Sequence, residues 1–466
     1  MIDKLKAILG PANVLQGDDA AKWSHDWTGQ YQFTPLAVLR PATTAEVSAV
    51  MKLAHATQTP VVPVSGNTGL AGGTIAEGAL MISLDRMNAL RDIRPDARIA
   101  IVEAGMILQT LQDAVEQQGM IFPLTFGAKG SAMAGGFLST NAGGSNVLRY
   151  GNTRDLCLGL EVVLPNGDVL DIMSELHKDN SGYNLRHLMI GAEGTLGIIT
   201  AAVLKLHPKP LAYGTAMVAA PSLSGALELL NRLQEATGGK VEAFEYMPRN
   251  YIAHHQRIKG GKAPFDADYD VNILVEIASA SAADCTPDDS GQTPLARDLE
   301  TVLEGLFNDG LVLDAVVAQS VAQRAEMWAR REAAAEVILS RRPLVNNDIA
   351  VPLDRVADFL AIMEGKLQTV DPGAEDVSVA HLGDGNVHYA VWAASDDPVV
   401  HDRIMEEVED VVLSLGGSFS AEHGIGTSKL PSMARRKNPV AIATMKAIKA
   451  ALDPHNIMNP GKVLPE

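Results

Sequence analysis

The segment His381-Leu-Gly-Asp-Gly-Asn-Val-His388 sets two imidazoles about a glycine-rich turn, and Glu422-His423 adds a carboxylate and another imidazole further along. If Leu382 pairs with Val387, His381 stands directly opposite His388. Opposed residues of a hairpin share one face, with Cβ atoms about 4.5–5.5 Å apart, so both rings can reach one cation. Two imidazoles and a carboxylate with a coordination position left open suit a zinc-like catalytic ion. The remaining histidine is then free to act as a base. His-Gly-rich turns also occur without metals, and a purely structural hairpin is the alternative reading. Asp384 reads as a turn residue, since Asp bonds its own backbone in turns. Asn386 either bonds a substrate carboxylate or stabilises the turn.

These residues need a scaffold, and the chain alternates between two kinds. In the first part, Ala37–Arg40 is a strand, and Thr43-Thr-Ala-Glu46 is a capping box opening a helix to about His55. Pro60–Val64 and Ile99–Val102 are strands, Met106–Gln117 a helix with Gly119 beyond its end, and Leu160–Leu164 with Asp168–Ile172 a hairpin turning at Asn166-Gly167. Thr195–His207 reads as a closing strand, and Pro208-Lys209-Pro210 marks a boundary. Beyond it, strands Thr215–Ala219, Val241–Tyr246 and Val271–Ile277 alternate with helices such as Leu223–Gln234, the pattern of an antiparallel sheet with helices on one face. Ser279–Pro294 is a polar loop and Ala318–Leu339 one long helix. Asn438 caps a last helix that starts at Pro439 and runs to about Leu452.

Three glycine-rich loops fall in the first part: Pro63–Thr74, Gly127–Gly144 and Gly191–Gly197. Successive backbone N–H groups in such loops form anion-binding concavities, for which pyrophosphate is a natural occupant. No Walker loop and no Gly-x-Gly-x-x-Gly fingerprint is present. Tight turns alone would explain one such loop; three favour an extended cofactor.

At 466 residues the chain exceeds one ordinary core, so two or more domains are expected. A formal net charge of -18 disfavours a nucleic-acid partner. Cys157 and Cys285 supply no disulfide framework, and the N-terminal residues carry no signal-peptide apolar core, so a cytoplasmic location is the expectation.

Together with the loops, Lys178-Asp-Asn-Ser-Gly-Tyr183, His381–His388, Ala421-Glu-His-Gly-Ile-Gly426 and Asp453–Gly461 resemble, in type and order, the FAD-linked D-2-hydroxyacid dehydrogenases. That group of vanillyl-alcohol oxidase type flavoproteins includes D-2-hydroxyglutarate dehydrogenase, flavin-type D-lactate dehydrogenase and the glycolate oxidase D subunit. The resemblance implies an α+β chain. A two-part FAD-binding domain (1–208 and the returning segment 421–466) would flank an antiparallel-sheet cap, or substrate, domain (209–420) carrying the His-His hairpin. Pro63, Ser65, Gly66, Asn67, Thr68, Gly69 and Leu70 would wrap the pyrophosphate. Ser131, Gly135, Gly136, Thr140, Gly143, Gly144 and Gly151 would line the adenine and flavin path. Glu193, Gly194 and Ile199 would contact the nucleotide half, and Asn459 the flavin side. No histidine lies in Pro63–Thr74, so the FAD would be non-covalent. His381, His388 and Glu422 become ligands of a divalent metal, zinc first with manganese, iron or cobalt as alternatives, and His423 the base.

The implied reaction oxidises a D-2-hydroxy acid, with hydride passing to flavin N5. Arg331 matches the family's substrate-facing arginine, and pairing with Glu332 or Glu336 is its alternative reading. Where the 2-hydroxyglutarate subgroup has threonine, lysine and asparagine, this chain has Ala335, Asn346 and Ala390. A distal carboxylate would thereby lose a hydroxyl donor and a cation, and charge-assisted bonds contribute about 1.5–3 kcal/mol each. That ranks D-lactate or another short monocarboxylate first and D-2-hydroxyglutarate second. The electron acceptor would be electron-transfer flavoprotein, a quinone or a cytochrome, and a homodimer is the family-level expectation. Two other classes compete: a metal hydrolase, which leaves the glycine loops unexplained, and a non-catalytic flavin-binding module, against which the intact His-His-Glu-His set argues.

Overall fold

Two units make up the chain in a computed structural model that describes residues 1–289 and 291–466; position 290 of the expected Ser279–Pro294 loop lies outside the described residues. One unit comprises 1–143, 151–208 and 422–466, and the other 144–150 and 209–421. The range 1–208 is therefore interrupted. Helix Val147–Tyr150 packs on strand Val241–Pro248 of the second unit, where Arg149 Nη1 donates to Glu242 (2.8 Å) and to the Ala278 carbonyl (2.8 Å). No helix is long and apolar enough to cross a membrane among the described residues.

In the first unit, local signals and outcome agree closely. The Thr43 hydroxyl accepts from the Glu46 N–H (3.1 Å) and opens helix Thr44–Thr57. Glu46 reaches back to the Ala42 N–H (2.6 Å). Val47, Val50, Met51 and Ala54 recur at helical spacing and are buried with Ala37, Leu39, Leu80 and Ile82. The sheet beneath is ordered Val14–Leu15, Ala37–Leu39, Leu80–Ser83, Val61–Val64, its last three strands parallel. A second, antiparallel sheet is ordered Leu90–Arg94, Ile99–Glu103, Ile198–Lys205, Cys157–Val163, Val169–Ile172. The C-terminal tail joins the edge strand of the first: Val61 N–H donates to Ile457 O (2.7 Å) and Asn459 N–H to Val61 O (2.7 Å). That anchorage lies immediately before Pro63, where the first glycine loop starts.

The second unit is built on one antiparallel sheet. Its order is Asp314–Val317, Ala212–Ala220, Val271–Ser279, Val241–Pro248, Val379–His381, Asn386–Trp392, Leu344–Ala350, with Glu375–Asp376 paired beside Asn386–Trp392. Alternation sorts its side chains by face. Phe244, Ile273, Val275, Val387 and Val391 belong to one core with the helices Leu223–Thr237, Pro294–Asn308, Val356–Val370 and Pro398–Ser414. Glu245, Asn272, Glu276, His381, His388 and Asp348 alternate with them and take the other face. The expected single helix Ala318–Leu339 is two helices, Val321–Glu332 and Ala334–Leu339, parted at Ala333 (φ -69, ψ 0). Neither Gly nor Pro marks the break. Packing decides it: Ala334, Val337 and Ile338 join the core around Trp392, whose Nε1 donates to Ile338 O (2.9 Å).

The histidine hairpin closes differently from the register read above. His381 pairs with Asn386 and Val379 with His388. The His381 carbonyl accepts from both Asp384 and Gly385 N–H (3.2 Å each), and Asp384 Oδ1 accepts from Asn386 N–H (3.1 Å), so Leu382–Gly385 forms the turn. A slip of two residues keeps every side chain on its face. The two imidazoles become diagonal neighbours, edge to face with centroids 5.2 Å apart.

Gly385 has φ +82, and a Cβ there would lie 2.2 Å from Val351 O. Gly385→Ala should destabilise the second unit by roughly 2–4 kcal/mol. Gly310→Ala, at φ +78 with nothing within 4 Å, should lose only about 1 kcal/mol. Urea denaturation of the two variants side by side checks the difference.

Candidate active site

The polar face of the second unit is organised around Glu245. This carboxylate is 1 % exposed. Its Oε1 accepts from His381 Nδ1 (2.9 Å), and its Oε2 lies 2.8 Å from that nitrogen and 2.8 Å from Arg331 Nε. Burial alone would push the Glu245 carboxyl up; the charges of His381 and Arg331 override it and hold it below the usual carboxylate range. With Nδ1 turned to Glu245, His381 presents Nε2 outward. Arg331 is itself buried, and its Nη2 has no hydrogen-bond partner among the described residues. It pairs with neither Glu332 nor Glu336. Helix Val321–Glu332 brings Arg324, Trp328 and Arg331 to one side at helical spacing. Arg324 grips Glu276 with two bonds (2.6 and 2.7 Å), and Trp328 Nε1 donates to the same carboxylate (2.9 Å).

Asn386 plays a structural part. Its Nδ2 donates to Asp348 Oδ1 (2.9 Å) and Ile349 O (2.9 Å), leaving no N–H for a carboxylate. Of the two roles read for it from the sequence, these bonds belong to the structural one. Asp348 lies 3.6 Å from His388 Nδ1. The Ala421 N–H donates to Asp348 O (3.2 Å), and Glu422 and His423 follow in the chain. His381 keeps a carboxylate hydrogen-bonded at Nδ1, the contact that fixes tautomer and ring orientation in metal-binding histidines, whereas Asp348 stands beyond hydrogen-bond reach of His388 Nδ1. Glu245 and Asp348 were missed from the sequence, since isolated carboxylates on distant strands carry no spacing signal.

Apart from Gly144, the glycine-loop residues gather in the first unit. Ser65, Gly66, Asn67, Thr68, Gly69 and Leu70 follow strand Val61–Val64, which contains Pro63. None of the N–H groups from Gly66 to Gly73 donates to another described residue. Such a run of unpartnered donors is a cradle for an anion, and it fits the pyrophosphate of a dinucleotide cofactor. Ser131 precedes helix Ala134–Thr140, which holds Gly135, Gly136 and Thr140. Gly143 and Gly151 bracket the 144–150 excursion, so Gly144 lies in the second unit. Ile199 is buried in strand Ile198–Lys205.

Several of these side chains tie loops together. Asn67 donates to His25 O (2.9 Å) and accepts from Thr74 Oγ1 (2.7 Å). Gly194 lets the third loop press on the first, since a Cβ there would meet Pro63 Cγ at 2.4 Å. The Glu193 carboxylate, expected on the nucleotide, accepts from Ile425 and Gly426 N–H (2.7 and 2.8 Å). Asn459 Nδ2 bridges Gly73 O (3.0 Å) and Glu193 O (2.8 Å), and its buried Oδ1 has no partner.

Comparison with known proteins agrees with this cradle. The family model "FAD linked oxidases, C-terminal domain" matches residues 209–463, and "FAD binding domain" matches 35–173. The chain belongs to the FAD-linked oxidases. D-2-hydroxyglutarate dehydrogenase of Xanthomonas citri pv. viticola is 35% identical over 451 residues, 96% of this chain and 92% of that one. Its namesake in Stutzerimonas stutzeri is 32% identical across 99% and 98%, and the mitochondrial protein of Arabidopsis thaliana 33% across 100% and 81%. Among solved structures, p-cresol methylhydroxylase matches with a TM-score of 0.74 at 18% identity, covering 99% of this chain and 95% of that one. Alkyldihydroxyacetonephosphate synthase matches at 0.71 and 18%, covering 99% and 85%. These two are similar in fold. As an FAD-linked oxidase the chain is an oxidoreductase acting on the CH–OH group of a D-2-hydroxy acid, with FAD as its cofactor.

Removing Glu245 would leave Arg331 and His381 buried without their carboxylate. Glu245→Ala should lose about 3–5 kcal/mol in urea denaturation at pH 7. The native carboxyl is depressed, so this stabilisation is complete above the ordinary value of 4.5 and fades as pH falls below it. The gap between Glu245→Gln and the parent should therefore narrow when melts are repeated at pH 4.

Proposed function

We propose that this FAD-linked oxidase oxidises D-2-hydroxyglutarate, and that a divalent ion, zinc first, on His381, His388 and Glu422 together with His423 as base completes its site. One observation in the second unit carries the substrate reading: the buried Arg331 guanidinium keeps an N–H group with no acceptor. A second carboxylate on the substrate would satisfy it. Whole-length likeness to D-2-hydroxyglutarate dehydrogenases supports the same choice and reverses the order in which D-lactate stood first.

In this reading the residues divide the work. Arg331 binds and orients the distal carboxylate. The ion would supply Lewis acidity, lowering the pKa of the C2 hydroxyl. His423 takes the hydroxyl proton, leaving the C2–H bond to break with its electron pair. FAD held by the glycine loops supplies the acceptor for that hydride. Glu245 keeps the His381 ring in one tautomer and orientation.

A second reading, a short monocarboxylate such as D-lactate, is favoured by one specific feature. Ala335 and Asn346 offer neither the hydroxyl nor the cation that a distal carboxylate would use, and both are exposed.

Anaerobic flavin bleaching with D- and L-2-hydroxyglutarate, D-malate and D-lactate decides between the two. D-2-hydroxyglutarate should give the highest kcat/KM; a higher value for D-lactate would install the second reading. Arg331→Met should lower kcat/KM for the dicarboxylate by about 10–100-fold, equivalent to the 1.5–3 kcal/mol of a charge-assisted bond, and leave D-lactate nearly unchanged.

His423→Ala should lower kcat by about 10²–10⁴-fold with FAD content intact. A chelator should stop turnover while the protein stays yellow. Normal turnover of the variant would remove His423 from its role, and normal turnover after chelation would remove the metal.

A further inference from the structure

We infer that Glu193 is a positioning residue for the reaction, fastening segment Glu422–Gly426 to the loops that would hold the flavin. The inference rests on the reading of His423 as the base. Its observations come from the first unit alone.

Glu193 is bonded in three directions. Its N–H donates to Ser139 O (2.8 Å), at the end of the second glycine loop's helix. Its carbonyl accepts from Asn459 Nδ2 (2.8 Å), whose amide also reaches Gly73 O in the first glycine loop. Its carboxylate accepts from the consecutive N–H groups of Ile425 (Oε1, 2.7 Å) and Gly426 (Oε2, 2.8 Å). Two neighbouring amides aimed at two oxygens of one carboxylate give a charge-assisted, geometrically specific pair. Glu193 itself has φ +50, a conformation retained by a side-chain-bearing residue only when its surroundings over-determine it.

The gripped segment is shaped to receive the carboxylate. Gly424 has φ +74, and a Cβ there would lie 2.7 Å from Glu193 Oε1. On the far side, Thr427 N–H donates to Ala71 O (2.9 Å), and Val463 N–H to Gly426 O (3.0 Å). The residues just beyond His423 are thus held between the first glycine loop, the third loop and the tail. Proton transfer tolerates little displacement of the base, and an error of about 1 Å can lower a rate by about 10²-fold. Glutamine at 193 would turn an amide N–H toward a backbone N–H, so one bond would be lost and two donors opposed.

The test uses the FAD-loaded full chain. Glu193→Gln and Gly424→Ala are compared with the parent by stopped-flow flavin reduction under saturating D-2-hydroxy acid, with flavin stoichiometry and melting temperature measured on the same samples. Flavin reduction should slow by about 10–100-fold. KM should stay within about twofold, flavin content should match the parent, and the acidic limb of the pH–kcat profile should move. Unchanged reduction with an unchanged pH profile would overturn the inference. So would loss of flavin in proportion to loss of activity, which would make Glu193 a cofactor-retaining residue only. If Glu193→Gln does not fold, Glu193→Asp is read by the same criteria. His423→Ala separates the two claims. Normal reduction in that variant removes the reading of His423 itself, whereas slow His423→Ala beside normal Glu193→Gln removes only the positioning role.

Discussion

The polar face of the second unit depends on the buried carboxylate of Glu245. At 2.8 Å from Arg331 the gross attraction is about 6 kcal/mol at an effective dielectric of about 20. Desolvating the two ions opposes it by several kcal/mol each, so the pair adds little net stability. What it fixes is geometry. The same carboxylate turns the Nδ1 of His381 inward and holds the Arg331 guanidinium beside the histidine hairpin. Breaking it would release an imidazole and a guanidinium together, and both belong to the chemistry proposed for this chain.

Antiparallel alternation makes this arrangement affordable. Glu245, His381, His388 and Asp348 come from four strands, yet each falls on the same face because every register in this part of the sheet is aligned in parity. Their alternate neighbours, Phe244, Ala380, Val387 and Ile349, enter the opposite core. One sheet thereby supplies its own hydrophobic support and a row of polar groups, without a polar residue having to interrupt the core.

How much of this was legible in the sequence varies with the range of the signal. Capping at Thr43 and Asn438 and the hairpin at Asn166-Gly167 are local and stand where the sequence placed them. The helix break at Ala333 was invisible, because Ala, Glu and Arg on both sides continue a helix by propensity and only packing near Trp392 ends it. The hairpin register went wrong by two residues because Asp384 and Gly385 both bond His381 O, a choice among turn types that Gly-Asp-Gly-Asn does not dictate. The histidines and Glu422 were legible as candidates. Glu245 and Asp348 were not, and neither was the role of the Glu193 side chain, since a carboxylate that serves another residue leaves no motif of its own.

The chain carries a net charge of -18, and the polar face does not by itself relieve that. Its carboxylates Glu245, Glu276 and Asp348 stand against the guanidiniums Arg331 and Arg324, three negative groups to two positive, and Arg324 is already held by two bonds to Glu276. Glu245 offsets the net charge of Arg331, so what the guanidinium offers an anionic hydroxy acid is a directed N–H bond rather than an excess of positive charge. The divalent ion proposed above would add positive charge for the reacting end of the substrate, leaving the N–H of Arg331 without an acceptor to select the far end. In that proposal the ion would serve binding as well as acidity.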